Sequence, residues 1–180
     1  MGRDVTTGTY TPEDRRQYRR KIQRCLDALA AMLNSETFAF HRRQMGLEIE
    51  LNLVDDRLRP AMTNTVVLEK IDDPMFTTEL GQHNIELNVQ PRPLAGNEAV
   101  QLEQDLRAIL TRANTKAHDA GADMVMIGIL PTVREEHFDP RWLSPNDRYA
   151  LLNEQIFAAR GEEMLLNMEG QPMPGRSADR

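Results

Sequence analysis

The sequence predicts an α+β domain, a mainly antiparallel sheet with helices on one face and an acidic face left open. Three observations carry that prediction. Two stretches, Gly46-Leu47-Glu48-Ile49-Glu50-Leu51-Asn52-Leu53 and Asn84-Ile85-Glu86-Leu87-Asn88-Val89-Gln90, alternate aliphatics with acids or amides. That is the period of a strand, and it gives each stretch one wholly aliphatic face. Longer stretches repeat apolar residues every three to four positions, as amphipathic helices do. The 180 residues, 40% hydrophobic and 28% charged, suit one globular domain able to bury roughly 70% of its unfolded surface.

Residues 1–10 show no periodicity and read as a loose arm. Thr11, followed by Pro12, Glu13 and Asp14, marks a helix start: a hydroxyl cap, proline in the first turn and acids at the positive end of the dipole. Its apolar stripe of Tyr18, Ile22, Cys25, Leu26, Leu29 and Leu33 predicts a helix to Leu33. The first acidic strand spans 45–54, and Asp55-Asp56-Arg57 is a turn. Thr65 to Lys70 reads as a short helix. Residues 77–90 read as the second acidic strand, or as two short strands interrupted at Gly81.

Pro91, Pro93 and Gly96 end that strand. Asn97 is the expected cap of a helix from Glu98 to Ala120, with Val100, Leu102, Leu106, Ile109 and Leu110 on its apolar stripe and Gly121 as its stop. The apolar run Asp123 to Leu130 predicts a central strand. Ser144 and Pro145 open a further helix through Tyr149, Leu152, Ile156 and Phe157, and Glu163 to Met168 reads as a last short strand. The domain is thus expected over 11–169, with a disordered Pro- and Gly-rich tail over 170–180. Helices should cover the aliphatic face, leaving the carboxylates on the other.

The net charge of −6 argues against a nucleic-acid binder, which needs a basic excess for phosphates. Arg15, Arg16, Arg19, Arg20, Lys21 and Arg24 form a local exception. They read as a solvated helix face, with a phosphate or an acidic partner as the alternative. Cys25 is the sole cysteine, so no internal disulfide can form, and it reads as a small core residue. No apolar run approaches a membrane span, and the N-terminus lacks a signal core, so a cytoplasmic protein is expected. The ten methionines are scattered, like core filler.

Glu48 and Glu50 lie on one strand face, about 6.5–7 Å apart at Cα. Glu86 joins them if the strands are neighbours, and Glu79 sits at the entrance of the second strand. Such carboxylates repel one another unless a cation intervenes. Oxygen ligands without Cys or clustered His favour Mg²⁺ or Mn²⁺ over zinc, and Mg²⁺ leaves positions for water and nucleotide phosphates. The other reading is a solvent-facing sheet kept soluble by its acids. A glycosidase-like acid pair lacks the aromatic cluster that would stack sugars. His83 reads as a hydrogen-bonded or exposed histidine rather than a ligand. Arg148 reads equally as a fork for a substrate carboxylate or phosphate and as an ion-pair partner of Asp147 or Glu154.

The strand Gly46-Leu47-Glu48-Ile49-Glu50 resembles the Gly-x-Glu-x-Glu opening strand of the bacterial glutamate–cysteine ligase and carboxylate–amine ligase superfamily. Thr77 to Asn88, with Glu79 seven residues before Glu86, resembles the second acidic element of that family. Gly128-Ile129-Leu130-Pro131 and the later Asp147-Arg148-Tyr149 resemble its third strand and an Arg-Tyr pair. The resemblance spans roughly residues 40 to 168. It implies a glutamine synthetase-like sheet and ATP-dependent formation of γ-glutamylcysteine from glutamate and cysteine. Glu48, Glu50 and Glu86, with Glu79, would hold the metal ions, and Arg148 would orient a substrate carboxylate. It also implies an N-terminal part of a longer ligase, expected to self-associate or to meet a complementing C-terminal half. A non-catalytic binding module and a ligase for another amine are the alternatives.

Overall fold

The computed structural model describes residues 10–38 and 41–160. The arm over 1–9, the expected strand at Glu163–Met168 and the tail over 170–180 lie outside the described residues. Helix α1 spans Pro12–Asn34, followed by strand β1 (Gln44–Val54), helix α2 (Asn64–Ile71), strands β2 (Phe76–Thr78) and β3 (Asn84–Pro93), helix α3 (Glu98–Asp119), strand β4 (Asp123–Val125) and helix α4 (Asp147–Arg160). The four strands form one antiparallel sheet in the order β2-β3-β1-β4. The predicted α+β class and antiparallel sheet are what the chain adopts.

The aliphatic face of the strands builds the core. Leu51 and Leu53 of β1, Ile85 and Leu87 of β3 and Phe76 of β2 are buried together, beneath Val67 of α2 and Ala113 and Ala117 of α3. Ala113 and Ala117 lie one turn apart, and their small side chains let α3 approach the sheet closely. Leu53, Ile85 and Leu87 are fully buried, each contributing on the order of 2 kcal/mol relative to an exposed position. Met75 and Met124 pack at the margin of this core, whereas Met126 is exposed.

The expected long element over 77–90 is two strands, β2 and β3, parted around Gly81. The segment Asp123–Leu130 differs from the prediction more strongly. Only Asp123–Val125 is strand, and it lies at the sheet edge beyond β1 rather than in the centre. The physical reason is visible at Asn52, whose side-chain amide donates to the Ile127 carbonyl at 2.9 Å. A side chain replaces the ladder there, and Met126, Ile127 and Ile129 are exposed.

Two caps also depart from expectation. Asn97 makes no side-chain cap bond; its carbonyl accepts from Val100 and Gln101 instead, at 3.0 and 3.1 Å. Helix α4 starts at Asp147, where the Asn146 side-chain oxygen accepts from the Arg148 amide at 2.9 Å. The start of α1 is as predicted: Thr11 accepts from the Asp14 amide at 3.2 Å while the Asp14 carboxylate accepts from the Thr11 amide at 2.9 Å. Its apolar stripe is not part of the core. No residue of α1 is buried, and Cys25 is exposed, because α2 and α3 already cover the sheet.

Candidate functional site

The register of β1 and β3 decides which polar residues meet. Glu50 stands directly opposite Glu86, Glu48 opposite Asn88, and Asn52 opposite Asn84. Thr77 of β2 flanks Glu86 on its other side. Glu48 and Glu50 are exposed, whereas Glu86 is half-buried. Glu79 follows β2 and is also half-buried. Its carboxyl is hydrogen-bonded to that of Glu86 and accepts from the Leu80 amide at 3.2 Å.

Burial raises the Glu79 pKa above its ordinary 4.5. The hydrogen bond to Glu86 raises it further, with repulsion from Glu86 and Glu50 in the same direction. Glu50, Glu79 and Glu86 are therefore one electrostatic group, and Glu48 stands one pair further along the ladder. Among the described residues no group of three or more His, Cys, Asp or Glu side chains is placed so that it could hold a metal ion. Mg²⁺ typically takes only one or two protein carboxylates and keeps its waters. A hydrogen-bonded Glu79–Glu86 pair with Glu50 beside it offers that donor set, with the cation in place of the shared proton.

The segment leading into α4 is fastened to the loop carrying Glu79. The Ser144 hydroxyl donates to the Glu79 carbonyl, and the Ser144 amide donates to Leu80 at 2.9 Å. The Gln82 amide donates to Trp142, and its side chain donates to the carbonyls of Arg141 and Leu143 at 3.0 and 2.9 Å. Asn64, 1% exposed, ties both sides together by donating to Ser144 Oγ at 2.7 Å, the Asn84 carbonyl at 3.2 Å and the Gly81 carbonyl at 3.3 Å. The Tyr149 hydroxyl reaches the Thr78 carbonyl at 2.7 Å. Tyr149 is thus anchored one residue before Glu79.

Arg148 lies at the first turn of α4, its guanidinium over the Tyr149 ring at 5.7 Å from the centroid. Among the described residues no carboxylate pairs with it, so the alternative of an ion pair with Asp147 or Glu154 is not realised. Asn64, Ser144 and Gln82 are the residues that sequence reasoning missed. Ser144 reads locally only as a helix opener, and Asn64 carries no local signal that sets it apart from the other polar residues of α2.

The amides of the polar face have separate uses. Asn52 is buried, donating to Ile127 and accepting from Asn84 at 2.9 Å. Asn88 is also buried and donates to Thr77 Oγ1 at 3.2 Å, while its oxygen has no partner among the described residues. Beside it lies an open cavity of ≈ 340 Å³ lined by Gly46, Leu47, Glu48, Asn88, Val89 and Gln90, with Pro91 at its rim. His83 is half-buried rather than exposed, and its Nδ1 has no hydrogen-bond partner among the described residues. Burial, then the nearby His137, lowers its pKa and favours the neutral ring.

No described helix is long and apolar enough to cross a membrane. No curated protein and no solved structure matches the chain. The family model described as glutamate-cysteine ligase family 2 (GCS2) matches residues 44–168, from the first residue of β1 through the whole sheet and past the end of α4. The chain therefore belongs to the glutamate-cysteine ligase family 2.

Proposed function

We propose that this chain bears the acidic side of an ATP-dependent glutamate–cysteine ligase site, forming γ-glutamylcysteine through a γ-glutamyl phosphate. The observation that carries the reading is the cross-strand pair Glu50–Glu86 joined by Glu79, inside the segment that matches the ligase family. In the first step a γ-carboxylate oxygen of glutamate attacks the terminal phosphorus of ATP, and ADP leaves. In the second the cysteine amine attacks the acyl carbon, an amide bond forms, and phosphate and the amine proton depart.

Mg²⁺ or Mn²⁺ held by Glu48, Glu50 and Glu86, with Glu79, would neutralise charge on the transferring phosphoryl group. Glu79 must release its proton before its carboxylate can serve as a ligand, so its raised pKa makes ion binding tighten as pH rises. The Arg148 fork suits a substrate carboxylate, and the Tyr149–Thr78 bond fixes the helix start that presents it. A glutamine synthetase-like sheet and a cytoplasmic setting belong to the same reading.

The test is ADP release by the purified chain. Turnover is expected only with Mg²⁺, glutamate and cysteine together, and Glu48→Gln should lower it by roughly 10²-fold or more. A folded chain that binds Mg²⁺ and shows no turnover would overturn the enzymatic reading and leave a binding module. Turnover with an amine other than cysteine would move the chain to another carboxylate–amine ligation.

A further inference from the structure

The cavity at the Gly46 end of the sheet lies beyond the Glu50, Glu79 and Glu86 group, and the strand register accounts for it. Between the pairs Met45–Arg92 and Leu47–Val89, β1 advances two positions while β3 advances three. The extra residue bulges β3 at Gln90 and Pro91, where proline has no N–H to give to the ladder. Opposite the bulge stands Gly46, on the strand face of Glu48 but with no side chain to fill it. The space left is the open cavity of ≈ 340 Å³, at the small end of ligand sites, which run to roughly 300–1,000 Å³.

The lining selects the occupant. Leu47, Val89 and Pro91 give it apolar walls, and Glu48, Asn88 and Gln90 its polar groups. Asn88 is only 9% exposed, and its Nδ2 is taken by Thr77 Oγ1. That leaves Oδ1 buried and without a donor among the described residues, an arrangement that is unfavourable and rare. Glu48 stands directly across the strand pair from Asn88 and has no basic side chain paired to it among the described residues. An anion would be repelled by Glu48, and a hydroxyl would leave its charge uncompensated. A primary ammonium brings three donors and the opposite charge. The apolar walls suit an alkyl stem rather than the water shell of a metal ion. We propose that this cavity binds a small primary amine in its ammonium form, held between Asn88 Oδ1 and the Glu48 carboxylate, with its stem against Leu47, Val89 and Pro91. A carboxylate has two oxygens, so Glu48 keeps one for an ion on the Glu50 side. Occupancy of the cavity needs neither ATP nor a divalent ion and so stands apart from the ligase reading.

NMR titration of the purified full chain without divalent ions tests this, with n-butylammonium as the probe and n-butanol as its neutral counterpart. Butylammonium should shift the Asn88 side-chain amide and the backbone amides around Gly46 saturably, with an affinity of about 1 mM, and butanol should not. A Cβ at Gly46 meets nothing nearer than Pro91 Cγ at 3.7 Å. Gly46→Leu should therefore melt with the wild type yet fill the cavity and weaken butylammonium roughly 10-fold or more. Asn88→Asp sets a second carboxylate beside Glu48 and should tighten binding several-fold, read on the same backbone amides. Equal responses to butylammonium and butanol, an affinity for K⁺ as high as for butylammonium, or undiminished binding in Gly46→Leu would overturn the proposal. Weaker binding in Asn88→Asp would overturn it as well, because the cavity would then be reading an acceptor on its ligand. Turnover by the ligase assay bears on none of these outcomes.

Discussion

Asn52 and Glu50 sit two residues apart on the same face of β1, yet Asn52 is buried and doubly bonded while Glu50 is exposed. Their cross-strand partners repeat the contrast: Asn84 bonds to Asn52, whereas Glu86 faces Glu50 as like charge against like charge. At one end of the face, polar groups satisfy each other and shape the chain around them. At the other, carboxylates are held together with no basic side chain paired to them among the described residues. The same alternation therefore serves structure at the amide end and leaves unspent electrostatic potential at the acidic end. Carboxylates cannot satisfy one another without a proton or a cation, but amides carry both donor and acceptor.

The largest expected effect tests the fastening around the acidic loop. Asn64→Ala removes the donor to Ser144, Asn84 and Gly81 in a buried setting. It should cost about 3 kcal/mol in urea unfolding. A loss below about 1 kcal/mol would show that the three acceptors find other donors. Asn52→Ala should cost somewhat less, about 2 kcal/mol, because it breaks the Ile127 and Asn84 bonds. Hydrogen exchange on that variant should also rise over residues 126–129, which the Asn52 amide tethers.

The smallest expected effect is a slope. The Glu79 pKa is raised in the folded chain above its ordinary 4.5, so the folded state holds this proton more tightly than the unfolded state. The resulting stability is fully present below pH 4.5 and is lost as pH rises through the folded value. Against Glu79→Gln, the wild type should therefore lose relative stability as pH rises above 4.5. Saturating Mg²⁺ should reverse that trend in the wild type alone. A wild type and variant with parallel pH profiles would show that the acidic end stores no such repulsion.

The sheet was legible because its signal is local. Leu51 and Leu53, Ile85 and Leu87 alternate with polar residues, and that period alone assigns them to the core face. The pairing of Glu50 with Glu86 was foreseeable only on condition that the strands were neighbours. The fastening was not legible, because Asn64 reaches Ser144 across 80 positions and Ser144 reaches Glu79 across 65. No period or propensity encodes such pairs. The stripe on α1 and the run after Asp123 misled for a related reason. Apolar spacing announces that a face can be covered, or that a run can be a strand, but does not name the element that does it. That signal places Cys25 and Ile127 in the interior, and both lie exposed.

Reciprocal backbone bonds between the Leu80–Gln82 loop and the Trp142–Ser144 segment bear on how this region opens. The amide of Gln82 is held by Trp142 and the amide of Ser144 by Leu80, with Asn64 bonded to both sides. Neither amide can reach solvent protons unless the two segments separate as a unit. They should report one shared opening event, with matching protection factors, although they lie far apart in the chain. A ligand that bridges Arg148 to the acidic loop would slow that opening, and the exchange clocks of Gln82 and Ser144 would register it together.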